Sequence, residues 1–341
     1  CSKYTDEQEA RFPTYGNSIL ISFATNAPMT TNASSPPHRL APALVLLLLG
    51  FVWGSSFILM KIGLFARDGS ALLQPVDLAA LRVAIAGATL LPVSLRHARR
   101  IARERWRWIA GVGIIGSFIP ALLFAMAQVN LPSAMAGMLN ALSPLWTLII
   151  GFVAFGTAVQ PRQIVGILVG LLGTAWLILA QAGAAAPDAA LGGEVLTPAL
   201  MLVVATVCYG ISVNITREKL SGIPAPAIAG CSLGLVALPA LGIVLFNGTP
   251  TMIAGHPDGM RALLAVGALA AIGTAGALVL FNQLIAWTNA VVAASVTYII
   301  PIFAALWGWW DGEVLTFQQL LAGASILLGV WITKKRTESA N

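Results

Sequence analysis

Polar and aromatic side chains occur inside segments of this sequence that are otherwise apolar. Residues 51–64 read FVWGSSFILMKIGL and carry an indole, two hydroxyls and an amine within nine positions. Such groups are costly in an apolar environment unless they face protein or water, so they could line a cavity and bind a small molecule. The candidate cavity-lining residues are Trp53, Ser56, Arg82, Asn140, Ser143, Tyr209, Ser212, Asn214, Asn282, Thr297 and Tyr298.

Each candidate also has a structural alternative. Amides and hydroxyls form hydrogen bonds between helices, and aromatic side chains pack at membrane interfaces. Gly54 and Gly210 are candidate hinges, although small residues also let helices approach closely. Pro144 and Pro301 are candidate hinges as well, because a proline inside a helix frees a carbonyl and bends the axis. The residue types leave both interpretations open at every one of these positions.

Three cations lie within or near the ends of apolar segments. Arg82 is five positions from Asp77, a spacing that pairs poorly on a helix, and we expect it to face an outer vestibule. Lys61 and Arg217 lie late in their segments, where a long side chain can reach the interface at little cost.

The composition indicates a protein embedded in lipid. The chain has 341 residues, of which 58% are hydrophobic and 9% charged, and its mean hydropathy is +0.85. A soluble domain carries about 25% charged residues, so a soluble fold of this composition could not cover its surface. Cys1, Cys208 and Cys231 have no spacing typical of a disulfide framework or a metal site.

Ten apolar segments are long enough to predict transmembrane helices, since about 20 residues cross the hydrocarbon core. The sequence therefore predicts an all-α integral membrane protein. The segments are approximately 41–65, 77–95, 107–127, 132–155, 163–182, 197–216, 224–246, 261–286, 290–310 and 317–333.

The basic residues predict the orientation. With the N-terminus in the cytoplasm, thirteen Lys and Arg residues lie on the cytoplasmic side, and only Arg67 and Arg261 lie opposite. Such a bias predicts that both termini are cytoplasmic in the inner (plasma) membrane. The net charge of +6 is explained in this way, and no nucleic-acid partner is expected. We expect residues 1–40 to be a disordered extension, with the natural start at Met29, and residues 336–341 to be a short cytoplasmic tail.

The ten segments divide into two related halves, 41–182 and 197–335. A shift of 157 superposes Gly116 on Gly273 and Pro144 on Pro301. A shift of 156 superposes the Trp53–Gly54 pair on Tyr209–Gly210 and Lys61 on Arg217. Because five is odd, the second half enters the membrane from the opposite side, and the sequence predicts two inverted five-helix repeats.

Several stretches resemble the EamA-type family of the drug/metabolite transporter superfamily. They are WGSSF, LRVAIAGATLLP, ALSPLWTLIIGFVAFG and QIVGILVGLLGTAWLI in the first half, with VTYIIPIFAALWGWWDGE and QQLLAGASILLGVWI in the second. The resemblance covers about residues 41–335. It implies ten helices around a central cavity lined by the first and sixth, and transport of small metabolites such as amino acids. The family usually places Gly-Glu after the fourth and ninth helices, but here the first copy is Gly156-Thr157 and only the second is Gly312-Glu313.

A transporter of small neutral or zwitterionic metabolites, with export favoured, is the function we expect. Sugars, nucleosides or nucleotide-sugars are the alternative cargo, although an anionic nucleotide-sugar would favour more cations than Lys61, Arg82 and Arg217. A membrane-embedded enzyme is a distant alternative, because the acids and histidines fall in loops or at segment ends, without catalytic or metal-binding motifs. The same distribution predicts transport without a proton relay. We expect no catalytic residues, metal or cofactor; the expected partners are the small-molecule substrate and the bilayer. A monomer suffices for this function, and a dimer is compatible with it.

Overall fold

A computed structural model describes residues 40–185, 193–288, 292–293 and 295–333, except the side chains of Ala184, Ala185, Asn282 and Ala286. The expected N-terminal extension with its start at Met29, and the expected tail, lie outside the described residues. The described part of the chain folds into α-helices joined by short loops. An isolated antiparallel bridge between Phe65 and Ala71 closes one of these loops.

The helices follow one another along the chain with the bounds given next. They are α1 (Ala41–Leu64), α2 (Pro75–Thr89), α3 (Leu91–Ala98), α4 (Trp106–Gly113), α5 (Ile119–Ala127), α6 (Ser133–Asn140), α7 (Ser143–Phe155), α8 (Pro161–Ala185), α9 (Gly193–Lys219), α10 (Ala225–Phe246), α11 (Thr249–Gly255), α12 (Gly259–Ala270), α13 (Ala277–Trp287), α14 (Val296–Trp310) and α15 (Phe317–Thr333). A π-helical turn at Ile114–Phe118 joins α4 to α5, and another at Ala271–Gly276 joins α12 to α13.

The predicted segments all contain helix, but fewer reach the length of a full span. Among the described residues, seven helical stretches are long and apolar enough to cross a membrane, and an eighth is added if α2 and α3, bent by 60°, form one span. Helices α14 and α15 are apolar but shorter. The all-helical membrane architecture is therefore confirmed, and the count of ten spans stays a prediction.

Three prolines occupy different positions in these helices. Pro92 lies in the first turn of α3, just after the bend, and Pro144 lies in the first turn of α7. A proline is tolerated there because the first N–H groups of a helix have no intrahelical acceptor. Pro301, in contrast, lies inside α14, where it removes a hydrogen bond from the helix.

Close packing of backbones joins the last helix of each half. Gly166, Gly170 and Gly173 of α8 face Gly329 and Ile326 of α15. A Cβ added at Gly329 would lie 2.6 Å from both the Gly166 carbonyl oxygen and the Gly170 Cα. Lipid provides no hydrophobic drive for helix association, so close van der Waals contact between small residues holds this crossing together.

Loops at the helix ends are tied by short-range hydrogen bonds. After α1, Ser70 donates from its hydroxyl (2.6 Å) and its backbone N–H (2.9 Å) to Asp68. These bonds favour the ionised form and lower the pKa of the Asp68 carboxyl. At the end of α9, Arg105 donates to the carbonyls of Lys219 and Ser221 at 3.1 and 2.9 Å, which satisfies acceptors that the helix leaves open.

Candidate functional site

Trp53 of α1 lies against the second half of the chain. Its indole Nε1 donates a 2.9 Å hydrogen bond to the carbonyl of Gly273, in the π-helical turn between α12 and α13. Its ring centroid lies 5.4 Å from that of Phe281 in α13. π-helical turns interrupt the regular hydrogen-bond ladder and occur frequently at functional sites. Trp53 is therefore anchored by both its polar and its apolar atoms.

A second aromatic pair repeats this arrangement with the halves exchanged. Tyr209 of α9 lies 6.2 Å, centroid to centroid, from Phe124 of α5, and Phe124 lies 5.9 Å from Phe57. Tyr209 is the sequence counterpart of Trp53 at a shift of 156, and Phe124 is the counterpart of Phe281 at a shift of 157. In each pair, the first helix of one half contacts the other half.

The glycines beside these aromatics also contact the opposite half of the chain. A Cβ at Gly54 would lie 2.9 Å from the Ile300 carbonyl oxygen of α14, and one at Gly210 would lie 2.8 Å from the Trp146 carbonyl carbon of α7. Both glycines thus allow the backbones of two helices to approach closely, which agrees with the helix-packing interpretation of these residues. Their role as hinges stays a prediction.

Ser56 and Ser212 each lie beside the π-helical turn of the opposite half. A Cβ at Gly273 would be 3.4 Å from the Ser56 hydroxyl oxygen, and one at Gly116 would collide with the Ser212 side chain. The Ser56 hydroxyl donates to the Val52 carbonyl at 3.3 Å. The two predicted serines are therefore brought next to the aromatic pairs.

Arg82 lies in the middle of α2 and is neither fully buried nor exposed. It lies near Tyr209 of α9 without a hydrogen bond to it. Within the described part of the chain, no hydrogen bond or ion pair joins Arg82 to another residue. Asp77 is engaged elsewhere, because its Oδ1 accepts from Asn247 Nδ2 at 2.7 Å and Thr249 Oγ1 at 3.1 Å.

Two further candidates, Asn214 and Ser143, donate hydrogen bonds to backbone carbonyls. Asn214 is buried and donates to the carbonyls of Thr147 (2.9 Å) and Gly210 (2.8 Å), which joins α9 to α7. The Ser143 hydroxyl donates to the Asn140 carbonyl at 2.8 Å, across the break between α6 and α7. Both residues thus support the backbone and are not part of the aromatic pairs.

The remaining predicted site residues lie near the start of α14 or in α6 and α13. Thr297 and Tyr298 are half-buried in the first turn of α14, and Asn140 is half-buried at the end of α6. The side chain of Asn282 lies outside the described residues.

An ionic network around Lys61 had not been predicted from the sequence. Lys61 Nζ lies 2.5 Å from Asp311 Oδ2 and 3.1 Å from Glu313 Oε1. The two Glu313 carboxylate oxygens also accept from the backbone N–H groups of Ser133 (2.8 Å) and Ala134 (3.1 Å), at the N-terminus of α6. Lys61 therefore does not simply extend to the interface, as its position had suggested. The signal available in the sequence was the second-half Gly-Glu dipeptide.

In the other half, the Thr157 hydroxyl takes the place of the Glu313 carboxylate. Arg217, the counterpart of Lys61, donates through Nη2 to the Thr157 hydroxyl at 2.8 Å and through Nε to Glu218 at 2.8 Å. Thr157 stands where Glu313 stands in the second half. The two ends of the bundle consequently differ in the groups that bind the cation.

Comparison with known proteins decides the family. The EamA-like transporter family matches residues 40–179 and again residues 196–334. The chain belongs to the EamA-like transporter family. It is accordingly a membrane transporter of the drug/metabolite type, with a small-molecule substrate and the lipid bilayer as its partners.

Curated relatives cover most of this EamA-like transporter at low identity. It is 27% identical over 292 residues to the uncharacterized inner membrane transporter YedA of Escherichia coli K12, with 83% of this chain and 87% of the relative covered. It is 27% identical over 308 residues to a probable terminal-alkyne amino-acid exporter of Streptantibioticus cattleyicolor, with 88% and 95% covered.

A third relative and a solved structure add to this picture. The EamA-like transporter is 30% identical over 207 residues to the aromatic amino acid exporter YddG of Ancylobacter novellus, with 59% of this chain and 67% of the relative covered. A crystal structure at 21% identity has a TM-score of 0.51 and covers 87% of this chain and 98% of its own. This likeness shows a shared fold.

Two of the depressions that described residues line on this EamA-like transporter lie away from the aromatic pairs and Arg82. A cavity of about 450 Å³ lies between the ends of α2, α5 and α9, lined in part by Gln74, Asn130 and Thr197. An apolar groove of about 790 Å³ runs along α14 and α15 and includes Pro301 and the exposed Trp309. A group of three or more metal-ligating side chains is not found among the described residues.

Proposed function

We propose that this chain carries small zwitterionic or neutral metabolites, amino acids and related compounds, outward across the inner membrane. In this proposal ten helices form two inverted repeats, residues 41–182 and 197–335, which alternate between two arrangements. The observation that carries the proposal is the exchange of contacts between halves. Trp53 meets Phe281, Tyr209 meets Phe124, and the two π-helical turns begin 157 residues apart, at Ile114 and Ala271.

Such exchanged contacts supply a mechanism for alternating access. The same kind of interface occurs twice: in one copy the first helix of the first half contacts the second half, and in the other copy the first helix of the second half contacts the first half. If one copy loosens while the other tightens, a site between them opens to one side and closes to the other. The aromatic pairs, Ser56 and Ser212 lie at these two interfaces, and we place the substrate between them. Gly54, Gly210, Pro144 and Pro301 would accommodate the movement.

The cargo class is supported by the charges near the proposed site. Lys61 and Arg217 are already engaged with Asp311, Glu313, Thr157 and Glu218, so they offer little to a polyanion such as a nucleotide-sugar. Aromatic faces suit an apolar body of small size. Two relatives are named as exporters of amino acids, which favours the same class.

The orientation proposed here places both termini in the cytoplasm. Basic residues and tryptophan meet at the proposed cytoplasmic end, where Arg107 lies 5.0 Å and Lys219 5.7 Å from the Trp108 ring centroid. Cationic and aromatic side chains are typical of a cytoplasmic interface. The relative YedA is named as an inner membrane transporter, which supports the same location.

Counterflow in proteoliposomes tests the proposed function. Vesicles containing purified protein and loaded with unlabelled L-phenylalanine, L-leucine or glucose are diluted into the corresponding labelled compound. We expect transient accumulation of the labelled amino acids above equilibrium, without a pH gradient, and none of glucose. Accumulation of glucose alone would favour the sugar alternative, and accumulation that requires a pH gradient would contradict uncoupled transport.

Substitution of Trp53 tests the position of the site. Trp53→Phe keeps a ring beside Phe281 but removes the bond to the Gly273 carbonyl, and Trp53→Ala removes both. Because an aromatic pair and a hydrogen bond are each worth about 1 kcal/mol, we expect counterflow to fall about fivefold for Trp53→Phe and at least about 25-fold for Trp53→Ala. The control is Trp309→Ala, since Trp309 is 74% exposed. Equal effects of Trp53→Ala and Trp309→Ala would place the site elsewhere.

A further inference from the structure

We propose that the Arg82 guanidinium binds a carboxylate of the cargo, so that this transporter selects compounds with a free carboxylate over their amides and amines. The inference rests on the proposed function, because it names the group that the carrier recognises. It assigns to Arg82 a defined chemical role.

The first observation is that Arg82 has no counter-ion among the residues that the structure describes. Its nearest acid along α2, Asp77, is buried and accepts hydrogen bonds from Asn247 and Thr249. Asp311 and Glu313 are engaged with Lys61, and Asp258 lies 3.5 Å from Arg67. The described residues thus provide no carboxylate for Arg82.

The second observation is the depth of Arg82. It lies eight residues into the 15-residue helix α2, within a segment predicted to cross the membrane. A guanidinium at such a depth is expensive unless it faces water or an anion. Arg82 retains partial accessibility, so water can solvate the guanidinium in the empty protein. An anionic ligand can replace that water when the cargo binds.

The surroundings of Arg82 fit one carboxylate joined to a small apolar body. Tyr209, which interacts with Arg82, belongs to the aromatic group that continues through Phe124 to Phe57. Arginine binds a carboxylate through two parallel N–H···O bonds, a geometry that an amide cannot reproduce. An amino acid with an apolar side chain presents both features.

A single charge also limits the size of the anion. Helix α10, which packs on α2, contains no Lys or Arg. Arg261 lies in the first turn of α12, at a helix end. Arg261 Nη1 is also buried without a hydrogen-bond partner, but Arg82 is the cation near Tyr209 among the described residues, which matches one carboxylate and not the two phosphates of a nucleotide-sugar.

The test compares carboxylates with their amides in two measurements. The probes are L-phenylalanine and L-leucine with their amides, and 3-phenylpropionate, which has the carboxylate but no amine. Transport is measured by inhibition of labelled L-phenylalanine counterflow, and binding by thermal stabilisation of the detergent-solubilised protein. The variants are Arg82→Gln and Arg82→Lys, with Arg67→Gln as an exposed control.

We expect the wild type to bind each carboxylate at least about 30-fold more tightly than the matched amide, since a charge-assisted bidentate contact is lost. Arg82→Gln should weaken the carboxylates about 30-fold and change the amides less than about threefold. Arg82→Lys should recover part of the preference, and Arg67→Gln should retain all of it. The melting temperature of ligand-free Arg82→Gln should not fall, because the variant removes a charge that has no counter-ion in the described part of the chain.

The two proposals fail in different ways. The role of Arg82 would be overturned if carboxylates and amides inhibited counterflow and stabilised the protein equally, and if Arg82→Gln changed neither effect. The proposed transport would not be contradicted by that result. Carboxylate stabilisation that depends on Arg82, without counterflow, would support the binding site and contradict transport. An Arg82→Gln variant with a lower melting temperature and an unchanged preference would make Arg82 a structural residue and overturn the inference.

Discussion

Replacing Glu313 with Gln is expected to lower the free energy of unfolding by about 3 kcal/mol, because the change removes the one buried carboxylate of a partly exposed charged network. The Glu313 side chain is 7% exposed and joins three segments: Lys61 of α1, the loop before α15, and the N-terminus of α6. The substituted amide has one acceptor oxygen where the carboxylate has two. One N–H of Ser133 or Ala134 would lose its partner, and Lys61 would lose one of its two counter-ions.

Unfolding in mixed micelles, followed by intrinsic Trp fluorescence, measures this change. Asp311→Asn is the matched comparison, since Asp311 also pairs with Lys61 but is 38% exposed. We expect a loss of at most about 1 kcal/mol for it, as for other exposed pairs. An equal loss in the two variants would show that the bonds to α6 contribute nothing.

The mirror variant tests the asymmetry between the two ends. Thr157→Glu places a second carboxylate beside Arg217, which now donates to the Thr157 hydroxyl and to Glu218. We expect the variant to exchange substrate at least about fivefold more slowly than the wild type in counterflow, because that end must then break a stronger contact. Faster exchange would contradict a gating role for this contact.

Replacing Gly329 with Leu is expected to lower the free energy of unfolding by at least about 3 kcal/mol, which is the upper range for overpacking of a close contact. The added Cβ alone would meet the Gly166 carbonyl oxygen and the Gly170 Cα, both at 2.6 Å. These are backbone atoms, so rotation of a side chain cannot relieve the overlap. Helices α8 and α15 would have to separate along their whole crossing.

The yield of monodisperse protein in detergent and its melting temperature measure this effect. Gly242→Leu is the control, because Gly242 lies in α10 and a Cβ there meets nothing within 4 Å. We expect Gly242→Leu to be neutral or slightly stabilising, since Leu favours helix more than Gly does. A folded Gly329→Leu protein with the melting temperature of the wild type would contradict the close packing of α8 on α15.

Local features of the sequence determine where the helices lie. An apolar segment of sufficient length forms a helix in lipid because its backbone groups must bond within the segment. The predicted segments 41–65 and 224–246 accordingly match α1 and α10 within one residue at each end. The 60° bend after Thr89 depends on packing and on local backbone geometry.

The sequence by itself determined the membrane class, the helical segments, the family and the correspondence between positions such as Trp53 and Tyr209. The membrane class, the helical segments and the correspondence follow from composition and from spacing along one chain, and the family follows from the resemblance of its stretches. Only the tertiary structure decided which side chains meet across 180 to 252 residues, as for Lys61, Ser133 and Glu313, or Trp53 and Gly273. Contacts of this kind depend on how distant helices pack, and the type of a side chain on a helix face does not indicate which distant residue it contacts. For the same reason the sequence predicted the same role for Asn214 and Arg82. In the structure, Asn214 donates a hydrogen bond to α7, whereas Arg82 has no counter-ion among the described residues.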